Sequence, residues 1–229
     1  DLTGYSRGAR VLIQAARETP IAEVRGVLGA FLEMPAEIEV AITAVLGEFA
    51  DAVLLDRPLE EIFEILHNQK ARAALLPLAE INPAQPFPTL EAMDGVLGIA
   101  ADLVNSPGEL DLAVRLLLGD VCVVKDRSAA RAVVEILQKA GEHLSGGQFR
   151  VVTLQGEIFY SSGALLAGEE GTADSSGAQA PVTMLSRPRL LRELRTQMIQ
   201  LTEQITSLVG QIERLDQDRN ELREQQSRL

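Results

Sequence analysis

The C-terminal part of the chain has a hydrophobic pattern with a seven-residue period. Apolar residues spaced alternately three and four apart over four heptads are typical of a left-handed coiled coil. The second core position becomes polar at Arg219 and Gln226. The pattern therefore predicts a coiled-coil helix over residues 189–229. Its two core series are Leu194, Leu201, Leu208, Leu215, Leu222 and Leu229, and Leu191, Met198, Ile205 and Ile212.

Short apolar runs precede this helix and are separated by glycines. Val151–Leu154 is rich in β-branched residues and predicts a buried strand. Ile158–Tyr160 and Ala164–Leu166 predict two further strands. The glycines between the runs, Gly156 and Gly163, favour turns. A compact body is therefore expected to close near Gly168.

The region before these strands contains an internal repeat. Each copy predicts strand, helix, strand, helix, strand, and each helix has apolar residues on one face. The repeat is matched first at the tetrapeptide Gly-Val-Leu-Gly, which occurs at Gly26–Gly29 and again at Gly95–Gly98. The other matched pairs are Pro35 with Pro107, Val40–Gly47 with Leu112–Gly119, and Ala52–Leu55 with Val121–Val124.

These elements predict an α+β body with two similar α/β halves, followed by a long helix. The halves cover about 1–81 and 89–171, and Asn82–Pro88, with three prolines, is the predicted strap between them. Glu169–Pro181 is rich in Gly, Ser and Ala, and residues 172–188 are the predicted linker. Because the sequence begins at Asp1 rather than Met, we expect it to be a piece of a longer protein.

Composition narrows the classes of function. The chain has 229 residues, 46% of them hydrophobic, and a net charge of −12. Residues 189–229 hold seven Arg and seven Asp or Glu, so the net negative charge lies in residues 1–188. This argues against a generally basic nucleic-acid surface. No apolar run reaches membrane-spanning length, and Cys122 and two distant His residues make no metal set, so we expect a cytoplasmic protein without cofactors.

Two short motifs resemble parts of a nucleotide site. Leu144–Gln148 spells LSGGQ, and Ala52–Asp56 is similar to a Walker B strand. However, no glycine-rich loop followed by Lys-Ser or Lys-Thr occurs to hold phosphates. LSGGQ also leads into the predicted strand at Val151, whereas a signature motif should begin a helix. We therefore predict a turn at LSGGQ and no enzymatic activity.

The body resembles the hinge domain of bacterial SMC (structural maintenance of chromosomes) proteins. The hinge begins with a Gly-aromatic-x-x-Gly turn before a helix, and Gly4, Tyr5, Gly8, Val11, Leu12 and Ala15 match it. Its closing pattern matches Val152-Thr153-Leu154, Gly156, Ser162-Gly163 and Gly168. Ala167 stands where the family usually has the first glycine of a pair.

The resemblance implies a function in assembly. Two hinges would join two coiled-coil arms of a chromosome-organising ATPase, which associates with the nucleoid and has its ATPase in head domains outside this chain. The partners would be a second copy of the chain and an outgoing arm that pairs with residues 189–229. The interface segment implied by the match is Gly163, Ala164, Leu165, Leu166, Ala167 and Gly168.

The resemblance also raises the hypothesis of a weak DNA contact at the junction of body and arm. Four of the arginines there fall within nine residues with only Glu193 to oppose them, and two more lie near the start of the body. The alternative is that they pair with acidic residues of the body or of the outgoing arm. The six are Arg7, Arg10, Arg187, Arg189, Arg192 and Arg195.

A function of a different class also fits the pattern. An α/β enzyme domain could be dimerised by the heptad helix as a leucine zipper. Heptads upstream of Asp1 in the full protein would favour the hinge, because its arm needs an antiparallel partner from the same chain.

Overall fold

The computed structural model describes residues 4–18, 24–56, 60–82, 87, 93–140, 149–168 and 185–227. They form two compact units, Asp1–Pro188 and Arg189–Leu229, which we call the body and the rod. LSGGQ and most of the predicted strap and linker lie outside the described residues. No helix among the described residues is both long and apolar enough to span a membrane.

The first half of the body contains a three-stranded sheet. Its strands lie in the order β1-β2-β3, with β2 antiparallel to β1 and parallel to β3. Ser6 begins the first helix, because its Oγ accepts a hydrogen bond from the Ala9 N–H at 3.3 Å. The elements are α1 (Arg7–Glu18), β1 (Val24–Val27), α2 (Glu39–Leu46), β2 (Val53–Leu55), α3 (Glu60–Asn68) and β3 (Leu75–Pro77).

The second half repeats this arrangement and adds a hairpin. Its sheet has the order β4-β5-β6-β7-β8, in which β5 and β6 are parallel and the other neighbours are antiparallel. The elements are β4 (Val96–Ile99), α4 (Ala100–Leu103), α5 (Asp111–Leu118), β5 (Val121–Val124), α6 (Arg127–Ala140), β6 (Arg150–Thr153), β7 (Ile158–Tyr160) and β8 (Leu165–Leu166). The predicted mixed α/β architecture and its internal repeat are confirmed.

The repeat is offset from the predicted match at its first strand. Gly26 and Gly98 are equivalent, because both have φ +143° and both follow a β-bulge against the central strand. Matching Gly26 with Gly95 was therefore wrong by three residues. The first half has a 3-10 segment, Gly47–Asp51, between α2 and β2, where the second half has a shorter connection. The shared tetrapeptide is a coincidence of sequence.

The two halves share one hydrophobic core. The central cluster combines buried residues of the first half, such as Ile42 and Leu54, with residues of the second half, such as Leu118 and Val123. Separate clusters cover the outer faces of the two sheets. Leu185, in the predicted linker, also belongs to the central cluster and is buried. Each half therefore completes the core of the other.

Polar contacts cross the same boundary. Glu33 and Asn105, at equivalent positions, exchange two backbone hydrogen bonds of 2.9 and 2.7 Å, as a two-fold relation between the halves requires. The Arg150 guanidinium donates to the Val45 carbonyl at 3.4 Å and to the Leu117 carbonyl at 2.7 Å. Those carbonyls lie in the last turns of α2 and α5, where a cation is favoured.

The rod is formed by the helix α7 (Ser186–Ser227). Its predicted core positions from Leu191 to Ile212 are all more than half exposed. The side chains of Leu215 and Leu222 lie outside the described set. The heptad seam is thus a continuous apolar stripe from Leu191 to Ile212.

Replacing Gly8 with alanine should destabilise the body. A Cβ at Gly8 would lie 2.0 Å from the Arg72 carbonyl oxygen, which is part of the backbone and has little freedom to move. We expect the free energy of unfolding to fall by about 1–3 kcal/mol, measured by urea denaturation. Gly108→Ala is the control, because no atom in the described part of the chain lies within 4 Å of its Cβ position. Equal stability of the two variants would contradict the close packing of α1 on residues 71–73.

Candidate functional site

The hairpin formed by β7 and β8 presents an apolar edge to solvent. Ile158 pairs with Leu166 and Phe159 with Leu165. Leu165 is 56% exposed and Leu166 59%, although both lie in a sheet strand. All six residues of the predicted interface segment, Gly163–Gly168, are exposed. The structure therefore places the segment at an accessible sheet edge.

The backbone of β8 has an unpaired side within the described chain. The Tyr160 N–H donates to the Ala164 carbonyl at 2.9 Å. This bond shows which residues of β8 point their backbone groups toward β7. In an antiparallel ladder, the backbone groups of alternate residues point to opposite sides. Leu166 therefore faces β7, whereas Leu165 and Ala167 point their N–H and C=O groups away from it. A row of such groups is a template for another strand.

The two glycines of the segment are needed for its backbone conformation. Gly163 has a backbone φ of +93° and Gly168 has one of +117°, values that residues other than glycine rarely adopt. A Cβ at Gly168 would meet no atom of the described residues within 4 Å. Charged substitutions at these glycines would thus change the hairpin as well as any interface. Leu165 and Leu166 are cleaner positions for mutation.

The turn before the hairpin is fixed by a carboxylate. Glu157 is 6% exposed, and both of its carboxylate oxygens accept hydrogen bonds at 2.8 Å from Arg127 Nε at the start of α6. The Thr153 hydroxyl accepts from the Glu157 N–H at 3.2 Å. Hydrogen bonding to Arg127 lowers the pKa of Glu157, against the opposing effect of burial. Glu157 therefore couples β6, β7 and α6.

A second open edge lies in the first half. Val53 N–H donates to the Ala74 carbonyl at 2.9 Å, so in the parallel register Leu76 faces β2, while Leu75 and Pro77 face away from it. No described strand covers that side of β3, whereas the equivalent strand β6 is covered by β7. Sequence reasoning predicted a closing strand in the first half but did not single it out as an open edge. Pro77 was the available signal, because proline in a strand is confined to edges and bulges.

The predicted DNA-contact residues divide between the two units. Arg7 donates to the Gln69 carbonyl at 3.2 Å, and Arg189 pairs with Glu193 at 2.9 Å. Arg10 and Arg195 are exposed. Arg192 is exposed and engaged in an interaction of its own. The side chain of Arg187 lies outside the described set.

The Walker B-like segment has a structural role in the first sheet. Val53–Leu55 is the buried central strand β2. The Asp56 carboxylate that follows it accepts a hydrogen bond from Arg25 Nε at 2.5 Å, and Arg25 also binds Glu109 of the second half. Among the described residues, no group of His, Cys, Asp or Glu is arranged to hold a metal ion.

The described chain thus combines two repeated α/β halves around one core, each half with an open sheet edge, and a heptad helix. A family model described as the flexible hinge domain of SMC proteins matches residues 21–134. The structure of an asymmetric dimer of the Geobacillus stearothermophilus SMC hinge domain matches with a TM-score of 0.72 and 26% identity, over 91% of this chain and 79% of that one. The Pyrococcus furiosus SMC hinge domain has the same fold, with a TM-score of 0.57 and 23% identity, over 78% of this chain and 88% of that one.

Curated relatives point to the same family. The chromosome partition protein Smc of Myxococcus xanthus is 29% identical over 213 residues, which cover 90% of this chain and 16% of that protein. The Bacillus subtilis protein of the same name is 23% identical over 94% of this chain and 17% of its own length. The chain belongs to the SMC hinge family. It spans about a sixth of the length of these relatives.

The Glu157 contact should make stability depend on pH in the acid range. Because the folded pKa of Glu157 is lowered, its stabilisation is present above the unfolded pKa of about 4.3 and is lost as pH falls through the folded value. Glu157→Gln should flatten the loss of stability below about pH 5, measured by urea denaturation. In the control Glu135→Gln, the lowered pKa comes from an exposed pair with Lys139, so the slope should change less. Equal slopes in wild type and Glu157→Gln would exclude this role of Glu157.

Proposed function

We propose that the body is the dimerisation hinge of a bacterial chromosome-organising SMC protein. The observation that carries the proposal is the pair of open edges, β3 in the first half and β8 in the second. Each copy has one edge of each kind, so two copies related by a two-fold axis can satisfy both edges at once. Such a contact is closed, because no open edge of this pair is left to recruit a third copy.

The pairing we propose places β3 of one copy beside β8 of the other. The outward backbone groups of Leu75 and Pro77 would meet those of Leu165 and Ala167. Three strands of one copy and five of the other would then form a continuous eight-stranded sheet, and the dimer would contain two such sheets. Exposed Leu165 and Leu166 would lose water on pairing, which supplies the hydrophobic part of the affinity.

The rod supports a role for the chain as part of a long arm. Its heptad seam is apolar and exposed, and a coiled-coil helix needs a partner along this stripe. We infer that the partner is an outgoing helix of the same protein, because the curated relatives are about six times longer than this chain. The name of these relatives, chromosome partition protein Smc, supports a role in chromosome partition. We further propose that the protein acts in the cytoplasm at the nucleoid and that its ATPase lies in other domains.

Replacing both edge leucines with glutamate should produce folded monomers. In Leu165→Glu/Leu166→Glu, apolar contact is replaced by charge at an edge, and we expect the dimer to weaken at least about a hundredfold. The measurement is light scattering on a chain that ends at Pro188, which keeps Leu185 in the core and removes the zipper. Circular dichroism verifies the fold.

The matched control is Phe63→Glu/Leu112→Glu, which makes the same charge change at exposed apolar residues of the helices α3 and α5. It should remain dimeric. A wild-type chain ending at Pro188 that is monomeric would favour the alternative, in which a leucine zipper dimerises an α/β enzyme domain. Dimers of the edge variant would exclude β8 as the interface.

We also infer weak DNA contacts at Arg10 of the body and, separately, at Arg195 of the rod, the two exposed arginines of the predicted set for which no engagement is described. Arg10→Glu/Arg195→Glu should weaken binding of labelled single- and double-stranded DNA and lower the salt slope by about two, as expected when two phosphate contacts are lost. Fluorescence anisotropy at several salt concentrations measures both effects. Arg131→Glu/Arg214→Glu makes the same charge change at other exposed arginines. Equal losses in the two variants would show that only net charge matters.

A further inference from the structure

The 3-10 segment Gly47–Asp51 distinguishes the first half of the body from the second. In the second half, α5 leads to β5 through Gly119 and Asp120 alone. No residue of the segment is fully buried, so the segment adds little to the hydrophobic core. Its last two residues instead contact residues close to the two ends of the body.

Asp51 holds the start of α1. The Ser6 N–H donates to Asp51 Oδ2 at 2.6 Å, although the two residues are 45 apart in sequence. Ser6 also caps α1 with its hydroxyl, and its carbonyl accepts a hydrogen bond from the Arg10 N–H at 3.0 Å. A hydrogen bond to a carboxylate is stronger than one between neutral groups. Asp51 therefore holds the residue on which the first turn of α1 depends.

Ala50, the residue before Asp51, lies beside the other end of the body. Leu185 immediately precedes α7 and is 2% exposed. A Cβ at Gly29 would lie 2.6 Å from the Ala50 carbonyl oxygen and 3.0 Å from Leu185 Cδ2. Because Gly29 has no side chain, Ala50 and Leu185 can both approach it from the same side. The two ends of the body are therefore held at adjacent residues of one short segment.

The backbone of the segment connects the two contacts. The Ala52 N–H donates to the Phe49 carbonyl at 3.1 Å, which closes the last turn of the segment. The Ala52 carbonyl in turn accepts from the Leu28 N–H at 2.9 Å, and Leu28 is the neighbour of Gly29. A displacement of this turn therefore changes the surface against which Leu185 packs.

We propose that the segment Gly47–Asp51 couples the two ends of the body, so that loss of its contact with one end loosens the other. In the proposed hinge, the two ends lead to the two helices of the arm, so the segment holds the starting points of both helices at one place. This meaning rests on the proposed function, whereas the coupling is a property of a single folded chain. A failure of the coupling is therefore distinguishable from a failure of the proposed dimer.

Thiol reactivity tests the coupling from the start of the body to its end. In the full chain carrying Leu185→Cys, a thiol reagent reaches the new side chain only when the end of the body opens, so the rate reports the open population. Adding Asp51→Ala should raise this rate at least about threefold, because a hydrogen bond to a charged acceptor is lost. Native Cys122 in β5 is the internal reporter of global unfolding, since burial shields it and raises its pKa to about 11. Mass spectrometry of the labelled chain separates the two sites.

Glu48→Ala is the matched control within the same segment. It removes the same charge, but Glu48 pairs with Arg72 at 2.8 Å on the surface, where 72% of the Glu48 side chain and 84% of the Arg72 side chain are exposed. Such a pair contributes little, so the rate at Leu185→Cys should change less. The coupling would be overturned by an unchanged rate in Asp51→Ala, by an equal effect of Glu48→Ala, or by an equal rise at Cys122. Circular dichroism verifies the fold of each variant.

The reverse experiment uses the reciprocity of coupled sites. Leu185→Ala should raise the hydrogen-exchange rate of the Ser6 amide by a similar factor, measured by NMR, because Asp51 protects this amide. Leu137→Ala is the control, since it makes the same truncation at a residue of α6 that is also 2% exposed. It should leave the Ser6 rate unchanged. A Ser6 rate that is unaffected by Leu185→Ala, or raised equally by Leu137→Ala, would exclude the coupling.

Discussion

The structure depends on the hydrophobic core that the two halves of the body build together. Each sheet has one face covered by helices of its own half and another face turned to the central cluster. Separating the halves would expose that face to water at a cost of about 25 cal/mol for each Å². Burial of apolar area does not by itself fix the orientation of the halves. The hydrogen bonds from Arg150 to the last turns of α2 and α5, and those between Glu33 and Asn105, are directional and do fix it. The halves therefore fold as one body, although each has the topology of a small domain.

The repeat is imperfect in a way that matters for function. A fully duplicated body would have the hairpin of β7 and β8 in both halves, and both inner strands would be covered. Here the described hairpin covers β6, while β3 keeps an exposed side that contains Pro77. An open edge and an added edge strand thus occur in the same chain. The pairing between copies that we propose depends on this difference between the halves, and identical halves would not supply it.

Local patterns in the sequence were sufficient for the elements and insufficient for their relations. Ile158–Tyr160 was predicted at its observed bounds, because an apolar run between turn residues is a local signal. The predicted register of the repeat was wrong at Gly26. We matched the halves on a shared tetrapeptide, whereas the equivalent glycines are those at the β-bulge with φ +143°. The roles of Arg150 and Leu185 were also missed. Their partners lie far away in sequence. Neither an arginine at the start of a strand nor a leucine at the end of a predicted linker indicates which distant residues it will contact.

The heptad seam makes the rod depend on a partner in a way that the body does not. Its core positions from Leu191 to Ile212 are all more than half exposed, so the helix by itself keeps an apolar stripe in contact with water. A partner helix along this stripe would bury apolar area in each of these heptads, at about 25 cal/mol for each Å² removed from water. The body, by contrast, already buries its apolar residues in a core that its own two halves share. The body can therefore fold as a single chain, whereas a coiled coil along the rod requires a second helix.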